Sequence, residues 1–369
     1  MNTVRPTLAG TDYHDPAIFQ LDRESIFFRS WICVGRTEDL LETGQWITAD
    51  VAGESVLITR DANGALQAFY NVCRHRGSRL CDGESGRVRS AFSCPYHAWT
   101  YTLDGRLRGT PNVDRSEVVR DEYGLWPVHI DQWNGFVFVN LDKGEPASLR
   151  SELAKSDGVL DLERFDLAVL RRGFRTTHDV QANWKILVAN YNECLHCPTV
   201  HPELVDLVPA FRSGSVFEEG RDDGGVSLAA GRNSVADEPE SKLLPIPGMT
   251  EDASASYFGA LVFPAMFLDV SGCEAIASTI QPTGPTSSRI VTDYLFHPDS
   301  VSSEGFDPAP VVRFNELVAQ QDNAVCERAQ KGVMSRAFTH GIYPEKDAEV
   351  YAFDLRYQQM RDGVDAGPR

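Results

Sequence analysis

A chain of 369 residues that is 42% hydrophobic and 24% charged carries enough apolar material for two domains, each with its own core, and has the balance of an ordinary globular protein. A formal net charge of −18 leaves no basic field for phosphate, which argues against nucleic acid as a partner. The longest apolar run, residues 260–268, is interrupted by Pro264 and is too short to span a bilayer; MNTVRPTLAG at the start lacks the apolar core of a signal peptide, so the expectation is a cytoplasmic protein with no membrane partner.

In chain order, residues 14–30 (HDPAIFQLDRESIFFRS) read as a short amphipathic helix, and an extended region begins at Trp31. The alternating runs SVLITR and LQAFYNV flank Asn63-Gly64, and Asp104-Gly105 marks a second tight turn, a pattern of hairpins in a small all-β module. That module closes with GFVFVNL at 135–141, after which DKGEPAS reads as a linker into mixed helix and strand. The expected organisation is α+β: an N-terminal helical segment over 1–30 packing with the C-terminal domain, a β-module over 31–143, and that C-terminal domain, helix on antiparallel sheet, over 144–369. Eight cysteines in such a chain suggest metal ligands and reduced thiols rather than a disulfide framework.

The sharpest motif lies inside the β-module: NVCRHRG followed by FSCPYHAWTY, in which Cys73, His75, Cys94 and His97 make C-x-H-x18-C-x2-H. Two thiolates and two imidazoles fit either a tetrahedral zinc site or a Rieske [2Fe-2S] cluster, whose two irons take cysteines on one side and histidines on the other. A zinc finger usually pairs Cys with Cys and His with His. Here each short loop supplies one of each, as two adjacent irons require, and Gly77 and Pro95 suit tight loops that aim backbone N–H groups at sulfur. Cys81, between the loops, reads as a structural thiol.

A second constellation falls in QANWKILVANYNECLHCPTVHPE, residues 181–203. As a helix capped by Asn183 it would carry Trp184, Leu187, Val188, Tyr191 and Leu195 on one apolar stripe. Glu193 and His196 are three apart, and His201 follows five later, with Pro198 and Pro202 breaking the helix so that the two imidazoles can converge. Taken alone, such a pair is equally a pair of satisfied histidines. His14, His129, His178, His297 and His340 have no ligand spacing to one another and read as structural.

Both constellations, together with SWICVGR, NWK and QQDNAVCERAQKG, make the chain resemble the oxygenase (alpha) component of the Rieske non-heme iron oxygenases, the ring-hydroxylating oxygenases. The wording NYNEC-x-HC-P-x-x-HP and QD-x-x-x-CE-x-x-Q-x-G is similar to the branch that oxidises quaternary ammonium compounds such as carnitine, glycine betaine and stachydrine. The resemblance implies a Rieske cluster on Cys73, His75, Cys94 and His97, and a mononuclear Fe(II) on His196, His201 and a carboxylate. It also implies that Glu193, where the family commonly has aspartate, links His97 of a neighbouring subunit to His196 as an electron bridge. Such a bridge implies a ring of subunits, a homotrimer.

The residues themselves offer the third ligand. A 2-His-1-carboxylate iron site needs one inward carboxylate, and helical spacing over PAPVVRFNELVAQQDNAVCERAQKG buries Val311, Phe314, Val318 and Val325 and turns Asp322 inward with them. The alternative for Asp322 is a salt bridge to Arg328 or Arg313, and Glu327 belongs to such a bridge. Asn190 stands either near the open iron position or in the core. Cys194 and Cys197 flank His196, but thiolates beside an oxygenase iron would be oxidised, so a zinc reading is set aside.

No G-x-G-x-x-G opens a βαβ unit and no four-cysteine ferredoxin pattern is present, so electrons from NAD(P)H require a separate reductase carrying flavin and a [2Fe-2S] centre. With O2 and a small substrate, the expected reaction is hydroxylation of an N-methyl group followed by loss of formaldehyde, the alternative being hydroxylation of an aromatic ring. Tyr257, Phe258, Phe263 and Phe267 are candidates for an aromatic cage around a cation, or plain core. A Rieske electron carrier without oxygenase chemistry would leave His196, His201 and Asp322 without a role, and a zinc-stabilised binding protein would be colourless.

Overall fold

The computed structural model describes residues 5–114, 116–218, 220–221, 223–238 and 243–363. The chain divides into two compact units, one of Phe27–Glu152 and the other of Met1–Ile26 with Leu153–Arg369. These limits fall at 26/27 and 152/153, where the sequence suggested 30/31 and 143/144. The linker DKGEPAS stays with the first unit because Trp31 Nε1 donates to the Ala147 carbonyl at 2.8 Å and Leu149 is buried.

The first unit is built on β-strands. Strands β1 (Ile32–Arg36), β2 (Gln45–Val51), β3 (Glu54–Arg60), β4 (Leu66–Tyr70), β5 (Ser85–Arg87), β6 (Ala91–Ser93), β7 (Thr100–Thr102), β8 (Leu107–Gly109), β9 (His129–Trp133) and β10 (Phe136–Asn140) form three antiparallel sheets ordered β4-β3-β2-β5, β6-β7-β8 and β9-β10-β1. The β3–β4 hairpin turns at Asn63-Gly64. Asp61 Oδ1 accepts from the backbone N–H groups of Asn63 and Ala65, and Gly64 takes φ +83°, which its missing side chain makes inexpensive. Leu57, Phe69, Phe92, Trp99, Tyr101 and Leu107 fill the core in which Cys73 and Cys94 are also buried.

The second unit lays helices on a six-stranded antiparallel sheet. Its strands are β11 (Arg171–Val180), β12 (Val226–Ser227), β13 (Ser256–Val262), β14 (Met266–Val270), β15 (Glu274–Gly284) and β16 (Ser287–Phe296), ordered β11-β16-β15-β14-β13-β12. The helices that matter for the site are α1 (Pro16–Asp22), α2 (Trp184–Tyr191), α3 (Ala309–Val333) and α4 (Ala348–Arg361). None of the described helices is long and apolar enough to cross a membrane.

Two expected helices are shorter in the structure. Residues 14–30 give only α1, capped by Asp15 and followed by a π turn over Arg23–Phe27. The segment 181–203 gives α2, which Asn183 caps as expected; it stops at Asn192, and two short helices follow at Cys197–Val200 and Pro202–Leu207. Leu195 therefore leaves the apolar stripe and is 40% exposed.

A buried ion pair joins these elements. Lys185 on α2 meets Asp22 at the end of α1, and the same carboxylate accepts from Trp184 Nε1 at 3.1 Å and from the Tyr357 hydroxyl of α4 at 2.7 Å. Both charged side chains are fully enclosed. Lys185→Met would leave Asp22 buried without its cation, and the expected cost is about 3–5 kcal/mol of this unit's stability, measurable by urea unfolding; an unchanged midpoint would show that the pair is not holding α1, α2 and α4 together.

Candidate functional site

The first constellation is built by two loops of the β unit. Cys73 and Cys94 are buried, whereas His75 is exposed and His97 partly so, which places thiols inside and imidazoles outward. In the first loop Gly77, at φ +75°, donates its N–H to the Cys73 carbonyl at 3.0 Å; in the second the Ala98 N–H donates to the Cys94 carbonyl at 3.0 Å. The imidazole centroids lie 4.7 Å apart, and His75 stacks on Trp99 at 4.8 Å and 5°. The Tyr101 hydroxyl is 3.3 Å from Cys73 Sγ, and burial pushes the Cys73 thiol up. His97 is held below the ordinary imidazole range by desolvation and by His75 and Arg76, and its Nδ1 is buried with no hydrogen-bond partner among the described residues. A neutral imidazole with an inward, unsatisfied nitrogen beside two buried sulfurs is a donor set that fits a two-iron cluster with thiolate and imidazole sides.

The second constellation lies in the helical and sheet unit. One ligand atom each from His196, His201 and Asp322 fall within 4.8 Å of one another, a spacing that one metal ion can bridge. His196 Nε2 is 3.3 Å and His201 Nε2 2.8 Å from Asp322 Oδ1. The other ring nitrogens point away to fixed acceptors: His196 Nδ1 to Glu193 Oε1 at 2.5 Å, and His201 Nδ1 to Gln321 Oε1 at 2.7 Å. An Nδ1–H donated outward leaves the Nε2 lone pair facing inward, which is the tautomer that a metal requires. Glu193 is itself held by the Leu195 N–H.

Electrostatics favour a cation at this point. Burial pulls His196 down, but hydrogen bonds to Asp322 and Glu193 outweigh it and carry the imidazole up to about 9. His201 is raised in the same way, against its own burial, and Asp322 is lowered despite burial by its two histidines. The carboxylates thus stabilise positive charge among the three donor atoms, which a divalent ion would supply in place of protons.

Asp322 pairs with neither Arg328 nor Arg313; Arg313 instead meets Asp237 at 2.8 Å. Glu327, expected in a salt bridge, accepts the Gln181 backbone N–H at 3.1 Å. Asn190 stands on the side of His196 that faces Asp322, its Nδ2 3.3 Å from His196 Nε2. Cys194 and Cys197 depart from the expectation of reduced thiols: they form a disulfide across His196 with Cα atoms 5.0 Å apart. The tight turn in which Cys197 N–H donates to the Cys194 carbonyl brings the sulfurs together and removes both as metal ligands. Gln321 was not anticipated as the His201 partner, although it directly precedes Asp322.

A cavity of about 550 Å³ opens beside the triad, lined by His196, His201, Asp322 and Asn190 and by aromatic side chains. Of the four aromatics proposed as a cage, Tyr257, Phe263 and Phe267 line it. Phe258 does not. Strand alternation sends it to the far face of β13, where it packs on Phe165 at 5.1 Å. Tyr191, assigned from sequence to the core stripe, lines the cavity and stacks on Phe267 at 3.8 Å and 7°. Of the histidines read as structural, His178 also lines the cavity, where its Nε2 meets Glu316 at 2.8 Å.

Each of the two constellations lies within a match to a known protein family. Residues 30–127 match the Rieske [2Fe-2S] domain, and residues 167–363 match the ring hydroxylating alpha subunit (catalytic domain). The chain is 29% identical to the glycine betaine monooxygenase oxygenase subunit of Pseudomonas aeruginosa (strain UCBPP-PA14), over 93% of this chain and 85% of that one. It is 28% identical to the carnitine monooxygenase oxygenase subunit of Escherichia coli (strain K12), over 90% and 85%. Its fold matches the crystal structure of the quaternary ammonium Rieske monooxygenase CntA with L-carnitine at TM-score 0.76 and 24% identity, over 96% of both chains. It also matches naphthalene 1,2-dioxygenase from Rhodococcus sp. at TM-score 0.70 and 20% identity, over 98% and 95%. With two iron-type donor sets, one in each unit, and a family match over more than half its length, the chain belongs to the ring-hydroxylating alpha subunit family as a Rieske oxygenase component closely related to the quaternary ammonium monooxygenases.

Proposed function

We propose that the chain is the terminal oxygenase of an N-demethylating system for a quaternary ammonium compound, with a Rieske cluster on Cys73, His75, Cys94 and His97 and Fe(II) on His196, His201 and Asp322. Electrons come from NAD(P)H through a separate flavin and [2Fe-2S] reductase. The observation that carries the reading is the aromatic cavity opening directly onto the triad, with Tyr191, Tyr257, Phe263 and Phe267 in its wall. The quaternary ammonium activities of the relatives support it.

Bound in the triad, Fe(II) would supply O2 activation. The chain's own residues do the rest. Glu193 and Gln321 fix the two imidazole tautomers, the cavity walls limit water and hold a C–H bond toward the donor atoms, and Asn190 presents an amide beside His196 Nε2. Hydroxylation of an N-methyl group gives a carbinolamine that collapses to formaldehyde and the demethylated amine.

Glu193 has a second role in this reading. Its Oε1 already holds His196, and a partly exposed cluster histidine, His97 of a neighbouring subunit, would complete a carboxylate bridge for electrons. That arrangement requires a ring of subunits, and a homotrimer is the ring proposed.

The substrate experiment is reconstitution with a compatible reductase and NADH against betaine, carnitine, choline, stachydrine, benzoate and salicylate, with formaldehyde and ring-hydroxylated product measured separately. Formaldehyde from a methylated cation is expected, and ring hydroxylation without formaldehyde would overturn the demethylase. Glu193→Gln is expected to keep the cluster spectrum and the mononuclear iron while slowing turnover by about tenfold or more. Loss of that iron in Glu193→Gln would make Glu193 a ligand instead. Asp322→Ala and His201→Ala should show the reverse pattern, an intact Rieske absorption spectrum with the mononuclear iron gone by metal analysis; retention of that iron in both would remove them from the ligand set.

A further inference from the structure

The cavity contains a negative charge that the iron chemistry does not use. Asp269, on β14, faces into it while protein encloses the carboxylate on its other sides. The hydroxyls of Tyr191 and Tyr257 each donate to Oδ1 at 2.5 Å. Among the described residues no hydrogen bond reaches Oδ2, and no Lys, Arg or His pairs with this group.

Two enclosed carboxylates of the same unit are matched by cations, Asp22 by Lys185 and Asp293 by Arg172 and Arg175, and Glu274 has both oxygens satisfied by Ser234, Ser271 and the Val235 N–H, whereas among the described residues Asp269 has neither a cation nor a donor to Oδ2. An enclosed carboxylate that faces a cavity with no cation beside it gains from a ligand of opposite charge. Burial pushes Asp269 up to about 6, with the two tyrosines pulling against that rise, so the group is still anionic at neutral pH.

The surroundings specify the shape of that ligand. Tyr191 stacks flat on Phe267, and Tyr257 meets Phe211 edge-on at 5.8 Å, so the carboxylate sits within aromatic walls. Gly259 lines the same recess. A Cβ there would stand 3.2 Å from each tyrosine hydroxyl and 3.3 Å from Asp269 Oδ1, tighter than ordinary van der Waals contact, so the missing side chain keeps these three oxygens uncrowded on the cavity side.

We propose that Asp269, held between Tyr191 and Tyr257, is an anionic subsite that pairs with the cationic nitrogen of an N-methylated substrate, with Gly259 keeping the approach to the carboxylate clear. This rests on the quaternary ammonium reading and adds the group that carries recognition. A nitrogen bearing only carbon substituents offers no N–H, so it is recognised by charge and shape. A fixed carboxylate supplies the charge, and the aromatic rings supply the rest.

The test is calorimetric titration of the iron-loaded holoenzyme with choline, which carries no carboxylate of its own, and with 3,3-dimethylbutan-1-ol, its neutral carbon isostere. The wild-type protein is expected to prefer choline by at least about tenfold. Asp269→Asn, which keeps the size and the acceptor for both tyrosines, should abolish that preference while leaving the affinity for the neutral isostere unchanged. Gly259→Ala, a variant that removes no charge, should weaken choline by about tenfold by crowding Asp269 and the two tyrosine hydroxyls. An unaltered preference in Asp269→Asn, no preference in the wild type, or undiminished choline binding in Gly259→Ala would overturn the proposal. Formaldehyde release from a quaternary amine together with charge-independent binding would sink the subsite and leave the demethylase standing. Asp269-dependent choline binding with no formaldehyde from any quaternary amine would do the opposite.

Discussion

The donor geometry of the second unit depends on where α2 stops. On a continuous helix, residues five apart point roughly 140° away from each other, and His196 and His201 could not share an ion. The helix ends at Tyr191, Cys197–Val200 makes one turn, and His201 leaves helical geometry at φ −126°, ψ 63° before Pro202 starts another turn. The ring centroids end 5.2 Å apart at 80° to one another. Glu193 lies in the gap after α2, which lets its carboxylate turn back to His196 Nδ1. One interruption thus sets the ligand convergence and the contact through which electrons are proposed to arrive.

That interruption is stabilised at its start by the interactions that fix α2. Asn183 caps the helix, accepting from the Lys185 N–H at 2.9 Å, and its own N–H donates to Gln330 on α3 at 2.8 Å. Lys185 and Trp184 bind the carboxylate of Asp22. Helix α3, tied to α2 in this way, carries Asp322 and Gln321 to the two histidines. NWK and QQD are therefore coupled parts of one frame: the first fixes α2, and the second brings Asp322 and Gln321, the two partners of His201, to its far end.

The parts of this architecture written in local spacing were legible in the sequence. C-x-H-x18-C-x2-H names four donors from two short loops, and the helical period over 311–325 turned Asp322 inward because α3 is one continuous 25-residue helix. The place of the break after Tyr191 was not legible, since the prolines at 198 and 202 suggested a later one, and Leu195 was misassigned for that reason. The Cys194–Cys197 disulfide was missed because reduced thiols are the ordinary expectation in such a chain. The cavity wall was half legible. Aromatic positions show in the sequence, but only the pairing of β13 with β14, which sets Gly259 opposite Asp269, shows which face they line. Asp269 gave no signal in sequence, because a buried carboxylate is recognised by the partners it lacks.

The central claim is that one chain carries two different iron centres, one in each unit. It is tested most directly by iron and acid-labile sulfide analysis of the purified protein alongside its visible spectrum. The account predicts a red-brown protein with about three irons and two sulfides per chain. Two irons with two sulfides after anaerobic iron loading would contradict the mononuclear centre, and zinc without sulfide would contradict both.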